Sequence, residues 1–178
     1  MSDFGVVYGS ALYEVAADSQ KETEICRDLD MICAAFQDNR DYIRLISSRM
    51  IAKDERLSLI QEAFSNRVDP RLLSFMKLLC ERNAFYEIFE CHKEYVKIYN
   101  EKHGIEVARV TTATPMTSEQ REHIREALGR KTGKTIVLKE TVDPAIRGGV
   151  RCEMSGVSYD NTIKRRLEQI SKALKSQA

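Results

Sequence analysis

From the start of the chain to Gly104, apolar residues recur three and four positions apart, the spacing that lines one face of an α-helix. Val7, Tyr8, Ala11, Leu12, Val15 and Ala16 form the first stripe, and Ile25, Leu29, Ile32, Cys33 and Phe36 the second. Tyr42, Leu45 and Ile46 predict a short third helix capped by Asn39 or Asp41, and Leu57, Ile60 and Phe64 a fourth. The fifth is written most clearly, in VDPRLLSFMKLLCERN. Asp69 is a good N-cap there, Pro70 suits the first helical position, and Leu72, Phe75, Met76 and Leu79 share one face, with Leu78 as a second apolar edge. A sixth helix is predicted from an Asn83 cap, through Phe85, Ile88, Phe89, Val96 and Tyr99, to Gly104 as the terminating glycine.

The period changes at Gly104. IEVARVTTATP is rich in β-branched residues and has no helical stripe, so it predicts a strand. Thr117 and Gln120 form a capping box for a helix ending near Lys131, with Ile124, Ala127 and Leu128 on its apolar face. KTIVLKETV predicts a second strand, and the alternation of Val150, Cys152 and Met154 a third. A tight turn at Ser155-Gly156 leads to a short fourth strand from Val157 to Tyr159. Asp160 is placed to cap a last helix carrying Ile163, Leu167, Ile170 and Leu174. The expected fold is α+β: a six-helix bundle over residues 1–104, then a small α/β domain over residues 105–178, a short mostly β sheet with two helices.

Charge sharpens this division. The net charge is +1, but residues 1–104 hold 14 Lys and Arg against 18 Asp and Glu, and residues 105–178 hold 14 against 9. Two units of opposite sign suit different partners. No apolar run reaches the ~20 residues of a membrane span, so no direct membrane insertion is expected. The opening MSDFGVVYGS has no secretory or transit pattern, which predicts a protein kept on the cytoplasmic side of any membrane. Cys26, Cys33, Cys80, Cys91 and Cys152 are odd in number and never in a C-x-x-C, so reduced, buried thiols are expected.

The candidate chemistry is thin. GRKTGKT resembles a phosphate loop, but Leu128 stands where its first glycine belongs, and the segment ends a helix instead of opening one. His92, His103 and His123 show no metal-ligand spacing, and no serine or cysteine sits in a nucleophile elbow. No metal, cofactor or catalytic residue is therefore expected. Lys164-Arg165-Arg166, with Lys134, Lys139, Arg147 and Arg151, could grip RNA, but this half has one aromatic, Tyr159, for stacking. A small RNA-binding module remains the alternative; a basic solvated face, or a face for an acidic protein helix, is the commoner outcome. In DPAIRGGVRCEMSG, Gly148-Gly149 precede a strand and not a helix, so they predict a bulge or a close backbone approach and not a phosphate cradle.

Two stretches carry a family resemblance. VDPAIRGGVRCEMSGVSYDNTIKRRLEQI, with Asp143, Gly148, Gly149 and Asp160, and YGSALYEVA near the start are similar to the delta subunit of F-type rotary ATP synthases, the oligomycin-sensitivity-conferring protein family. The resemblance runs over essentially the whole chain. It implies a non-catalytic stator subunit, peripheral on the cytoplasmic face of a bacterial membrane, joining the catalytic head to the peripheral stalk. It also implies that the helical domain binds the N-terminal helix of an alpha subunit between its first and fifth helices. On this chain those positions are Tyr8, Ala11, Leu12, Val15, Phe75, Leu78 and Leu79, flanked by Arg82. The implied partners of the α/β domain are the b subunits, with no nucleic acid partner.

Overall fold

The computed structural model describes residues 3–146, 148–154, 156–160 and 165. The chain divides into two compact units, Met1–Asn100 and Glu101–Ala178, four residues ahead of the change of period at Gly104.

The first unit holds α1 (Asp3–Asp18), α2 (Glu22–Asp38), α3 (Arg40–Ser47), α4 (Lys53–Phe64), α5 (Pro70–Glu81) and, after a single turn of 3-10 helix at Phe85–Glu87, α6 (Ile88–Lys102). Local chemistry sets the starts. Asn39 Oδ1 accepts from the Tyr42 N–H at 3.3 Å, and Asp69 Oδ1 accepts from Arg71 N–H at 2.8 Å with Pro70 at the first position. Long-range bonds then tie the ends together. The Asp69 N–H donates to Asp28 on α2 at 3.0 Å, and Tyr95 Oη on α6 donates to the Glu22 carbonyl at 2.9 Å. Ile25, Leu29, Ile32 and Phe36 from α2 meet Leu72, Met76 and Leu79 from α5 in one core. Phe36 lies edge-on to Phe64 and Phe85, with ring centroids 5.8 and 5.6 Å away.

Several expected details change. The buried line of α1 is Gly5, Gly9, Leu12, Tyr13 and Ala16, while Val7 and Val15 are 62% and 49% exposed. Glycines carry no hydrophobic signal, so a periodicity reading rotates this helix outward. On α3 the buried pair is Ile43 and Ile46, and Leu45 is exposed. Asn83 caps no helix; it takes a left-handed φ of 52° in the turn after α5, a conformation asparagine tolerates. On α6 the buried positions are Ile88, Cys91, Glu94 and Tyr95, and Val96 is only partly covered.

All five cysteines are free thiols, four buried and Cys26 half-buried. Burial pushes Cys33 and Cys91 up to about 12, assisted by Asp30 at Cys33 and Glu87 at Cys91. A thiol this far above neutrality is almost wholly protonated at pH 8, and the thiolate is the nucleophile. Iodoacetamide at pH 8 is therefore expected to label Cys33 and Cys91 at least roughly a hundredfold more slowly in the folded chain than in urea, since a free thiol titrates near ~8.5. Peptide mass mapping reads the rates, and equal rates in the two states would refute the packing described.

The second unit holds β1 (Ile105–Thr112), α7 (Ser118–Thr132), β2 (Thr135–Val142), β3 (Val150–Met154) and β4 (Val157–Asp160) in a sheet of order β2-β1-β3-β4. β1 and β2 run parallel, with α7 as their crossover; β3 runs antiparallel to β1, and β4 to β3. The capping box forms as predicted: Gln120 N–H donates to Thr117 Oγ1 at 3.2 Å, and Thr117 N–H to Gln120 Oε1 at 3.0 Å. Ala108, Val110, Ile136, Cys152 and Met154 fill the core against Ile124 and Leu128 of α7, and Ala127 points to solvent. Asp160 ends β4 in register with Arg151, its carboxylate 3.8 Å from the Arg151 guanidinium. The predicted last helix with Ile163, Leu167, Ile170 and Leu174, and the basic positions Arg147, Lys164 and Arg166, lie outside the described residues.

Candidate functional site

α1 and α5 leave a trough of about 400 Å³ between them, lined by Tyr8, Ala11, Leu12 and Val15 on one side and Arg71, Ser74, Phe75 and Leu78 on the other. Helical spacing assembles each wall. Tyr8 and Leu12, and Ala11 and Val15, are four apart on α1; Arg71, Ser74, Phe75 and Leu78 follow the three-four rhythm on α5. Leu12 and Phe75 are buried floor, whereas Ala11, Val15 and Leu78 stay exposed at the rim. Gly9 lets the opposite side of α1 settle on α6. A β-carbon built there would sit 2.6 Å from the Cys91 carbonyl oxygen and 3.0 Å from Glu94 Cβ. Gly9, on the inner face of α1, thus leaves Ala11 and Val15 facing solvent.

Two polar groups of the trough, on Ser74 and Arg71, are already engaged. Ser74 Oγ donates to the Pro70 carbonyl at 2.8 Å within its own helix, and Arg71 Nη1 lies 3.2 Å from Asp69 Oδ2. What remains is an apolar concavity without a catalytic group, suited to receiving apolar side chains. One residue expected to line it does not, and the residue expected to flank it stands outside the lining. Leu79 has 0% of its surface exposed and belongs to the core, because the face of α5 one residue round from Leu78 points inward. Arg82 follows the last turn of α5, its N–H bonded to the Leu78 carbonyl at 3.0 Å, and is absent from the lining. Arg71 and Ser74 were missed because a search for apolar stripes skips polar residues; counting back four from Phe75 and from Leu78 finds both.

In the second unit, Asp143 builds a turn: its carboxylate accepts from Ala145 N–H at 2.9 Å, and its carbonyl from Ile146 N–H at 3.0 Å. Gly148 and Gly149 follow with φ of 146° and 88°, backbone that side chains rarely adopt, immediately before β3. The segment that resembles a phosphate loop closes a helix, Gly133 capping α7 in the left-handed region and Lys134 Nζ held 2.8 Å from Glu106. Tyr159, the aromatic that RNA stacking would use, lies under Lys131 Nζ, 4.1 Å from the ring centroid.

The family model of the ATP synthase delta (OSCP) subunit matches residues 6–174. The chain belongs to this family. Among its relatives, the ATP synthase subunit delta of Clostridium botulinum (strain Loch Maree / Type A3) is 34% identical over 167 residues, 94% of this chain and 93% of the relative. The ATP synthase subunit delta of Brevibacillus brevis is 30% identical over 167 residues, 94% of this chain and 95% of its own. A chain of the Toxoplasma gondii mitochondrial ATP synthase hexamer shares the fold, with a TM-score of 0.76 at 17% identity over 97% of this chain and 98% of that one. As a delta-family chain the protein is a non-catalytic stator subunit of the F-type ATP synthase. Among the described residues no helix is long and apolar enough to cross a membrane.

Proposed function

We propose that this delta-family subunit clamps the synthase head to its peripheral stalk through two surfaces, one on each unit. The helical unit, read as a six-helix bundle, takes the N-terminal helix of an alpha subunit in the α1/α5 trough. The α/β unit docks the b subunits. The domain that binds alpha is residues 1–104 and the domain that binds the stalk residues 105–178. The complex holds the chain peripherally at the cytoplasmic face of the bacterial cell membrane. The observation that carries the reading is the trough itself: Val15 and Leu78 remain exposed at the rim of an otherwise filled core, and Ser74 and Arg71 beside them are engaged within α5 and its cap. An amphipathic helix would cover that rim with apolar side chains at three-four spacing.

Ala11 gives the sharpest test, because it is the small residue on the open rim. Ala11→Leu fills the trough without adding charge or entering the core. Titrated calorimetrically with a synthetic alpha N-terminal peptide, it is expected to bind at least tenfold more weakly than wild type, the loss of roughly one anchor of about 2 kcal/mol. Its helical circular dichroism should stay unchanged. Equal affinity in the two proteins would move the docking surface elsewhere.

A further inference from the structure

A second cavity, of about 590 Å³, lies in the helical unit between the α2–α3 junction and the start of α6, and it shares no lining residue with the trough. Helical spacing builds it too. Phe36 and Gln37 lie in the last turn of α2, Arg40 and Arg44 stand four apart on α3, and Phe89, His92 and Lys93 follow the three-four rhythm on α6. The core fixes its aromatic wall. Phe36 is buried and stacks with Tyr42 at 5.9 Å between ring centroids, Phe89 is half-buried, and Tyr86 is 55% exposed. Charge singles the cavity out. Residues 1–104 hold 14 Lys and Arg against 18 Asp and Glu, yet the lining contains Arg40, Arg44, Lys93 and His92 and no carboxylate. The carboxylates that face these groups stand outside the lining: Asp41 pairs with Arg44 at 3.3 Å, Glu90 pairs with Lys93, and Asp30 Oδ1 lies 2.7 Å from His92 Nε2. The Arg44 and Asp41 side chains are 73% and 89% exposed, and a pair that open is weak enough for the guanidinium to change partner. Arg40 takes part in no ion pair among the described residues.

We propose that this cavity binds a nucleoside diphosphate, its base against Phe89 and Tyr86 and its phosphates among Arg40, Arg44 and Lys93. The lining has two halves, and only a ligand with both a ring and a concentrated negative charge uses both. Aromatic side chains stack on a base through its flat face. Guanidinium groups take phosphate oxygens through paired N–H donors, and an ammonium adds a point charge. Three cations around one cavity suit a polyanion better than a single carboxylate. The volume falls within the roughly 300–1,000 Å³ of small-molecule pockets. The walls are also in place beforehand, because Phe36 is anchored in the core and Asp30 holds the His92 ring. The site is unrelated to the GRKTGKT segment, which lies in the other unit.

Calorimetry of the full chain with ADP, adenosine and inorganic pyrophosphate tests the two halves separately. ADP is expected to bind one-to-one. Adenosine, which lacks the charge, and pyrophosphate, which lacks the ring, should each bind roughly tenfold more weakly or worse. Arg40→Gln, at an exposed position, should lower ADP affinity roughly tenfold and reduce its salt dependence while leaving the thermal midpoint in place. Tyr86→Ala is the second variant and should weaken ADP binding without changing that of pyrophosphate. Arg67→Gln, an exposed arginine outside the lining, is the control and should bind ADP as wild type does. If ADP fails to bind at about millimolar concentration, or binds wild type and both lining variants equally, the site is overturned. Adenosine or pyrophosphate binding as tightly as ADP would overturn the nucleotide assignment. An equal loss in Arg67→Gln and Arg40→Gln would do the same, since it would mark diffuse charge attraction and not a site.

Discussion

Leu79→Asp is expected to unfold the helical unit, while Leu78→Asp, its neighbour in sequence, folds normally and loses the alpha peptide. Leu79 has no exposed surface and packs with Leu72 and Met76 in the core, whereas Leu78 is 37% exposed on the rim of the trough. An aspartate at 79 loses the apolar burial of leucine and leaves a carboxyl among apolar neighbours. The two losses together come to the order of 5 kcal/mol, comparable with the whole stability of a domain this size. An aspartate at 78 projects into water and costs the fold little, but it puts a charge where an apolar anchor would sit, and peptide affinity should fall at least tenfold. Urea titration followed by circular dichroism measures the first outcome and calorimetry the second. Two equally stable variants would mean that α5 is rotated from the orientation described. Two unfolded variants would make Leu78 a core residue and remove it from the binding surface.

Gly9→Val should produce the second large effect. The β-carbon of any residue there meets the Cys91 carbonyl at 2.6 Å, and that atom is backbone of α6, which cannot swing aside as a side chain would. α1 has to lift, opening the contact of Tyr13 with Tyr95, whose rings meet edge-to-face at 5.4 Å. Overpacking of this kind costs about 1–3 kcal/mol, more than the roughly 1 kcal/mol by which replacing a mid-helix glycine helps the helix itself. Because Tyr8, Ala11, Leu12 and Val15 ride on the same helix, the trough should deform as well. The variant is expected to lose both denaturation midpoint and peptide affinity, whereas Ala11→Leu loses affinity alone. A Gly9→Val chain of undiminished stability would show that α1 does not approach α6 this closely.

The elements themselves were legible because their signals are local. A helix start such as Asp69-Pro70 or Thr117 with Gln120 is decided by bonds within four residues, and each formed as read. The apolar stripe of α2 was read residue for residue, since a helix packed on by several neighbours buries one broad side that large side chains mark plainly. α1 was read less well for the opposite reason. Its deepest contact is made by Gly9, a residue with no side chain to register on any hydrophobic scale, so the exposed valines passed for the core face.

That same misreading located part of the trough. The stripe taken for core on α1 contains Tyr8, Ala11, Leu12 and Val15, and the reason it looks like core is that its outer members are apolar without being covered by the fold. Sequence alone determined the order of helices and strands, the change of period at Gly104, the caps, and the stretches that carry the family resemblance, all of which depend on neighbours along the chain. It put Leu79 on the face of Leu72 and Met76 and Leu78 on a second edge, but it could not decide which of the two stays open to a partner, or show that Arg109 stands against Lys139, because those facts depend on which way a helix is turned in its unit and on the register between two strands thirty residues apart. Rotation and register come from the summed packing of residues distant in sequence, and a pattern read along one chain contains only the candidates for that packing.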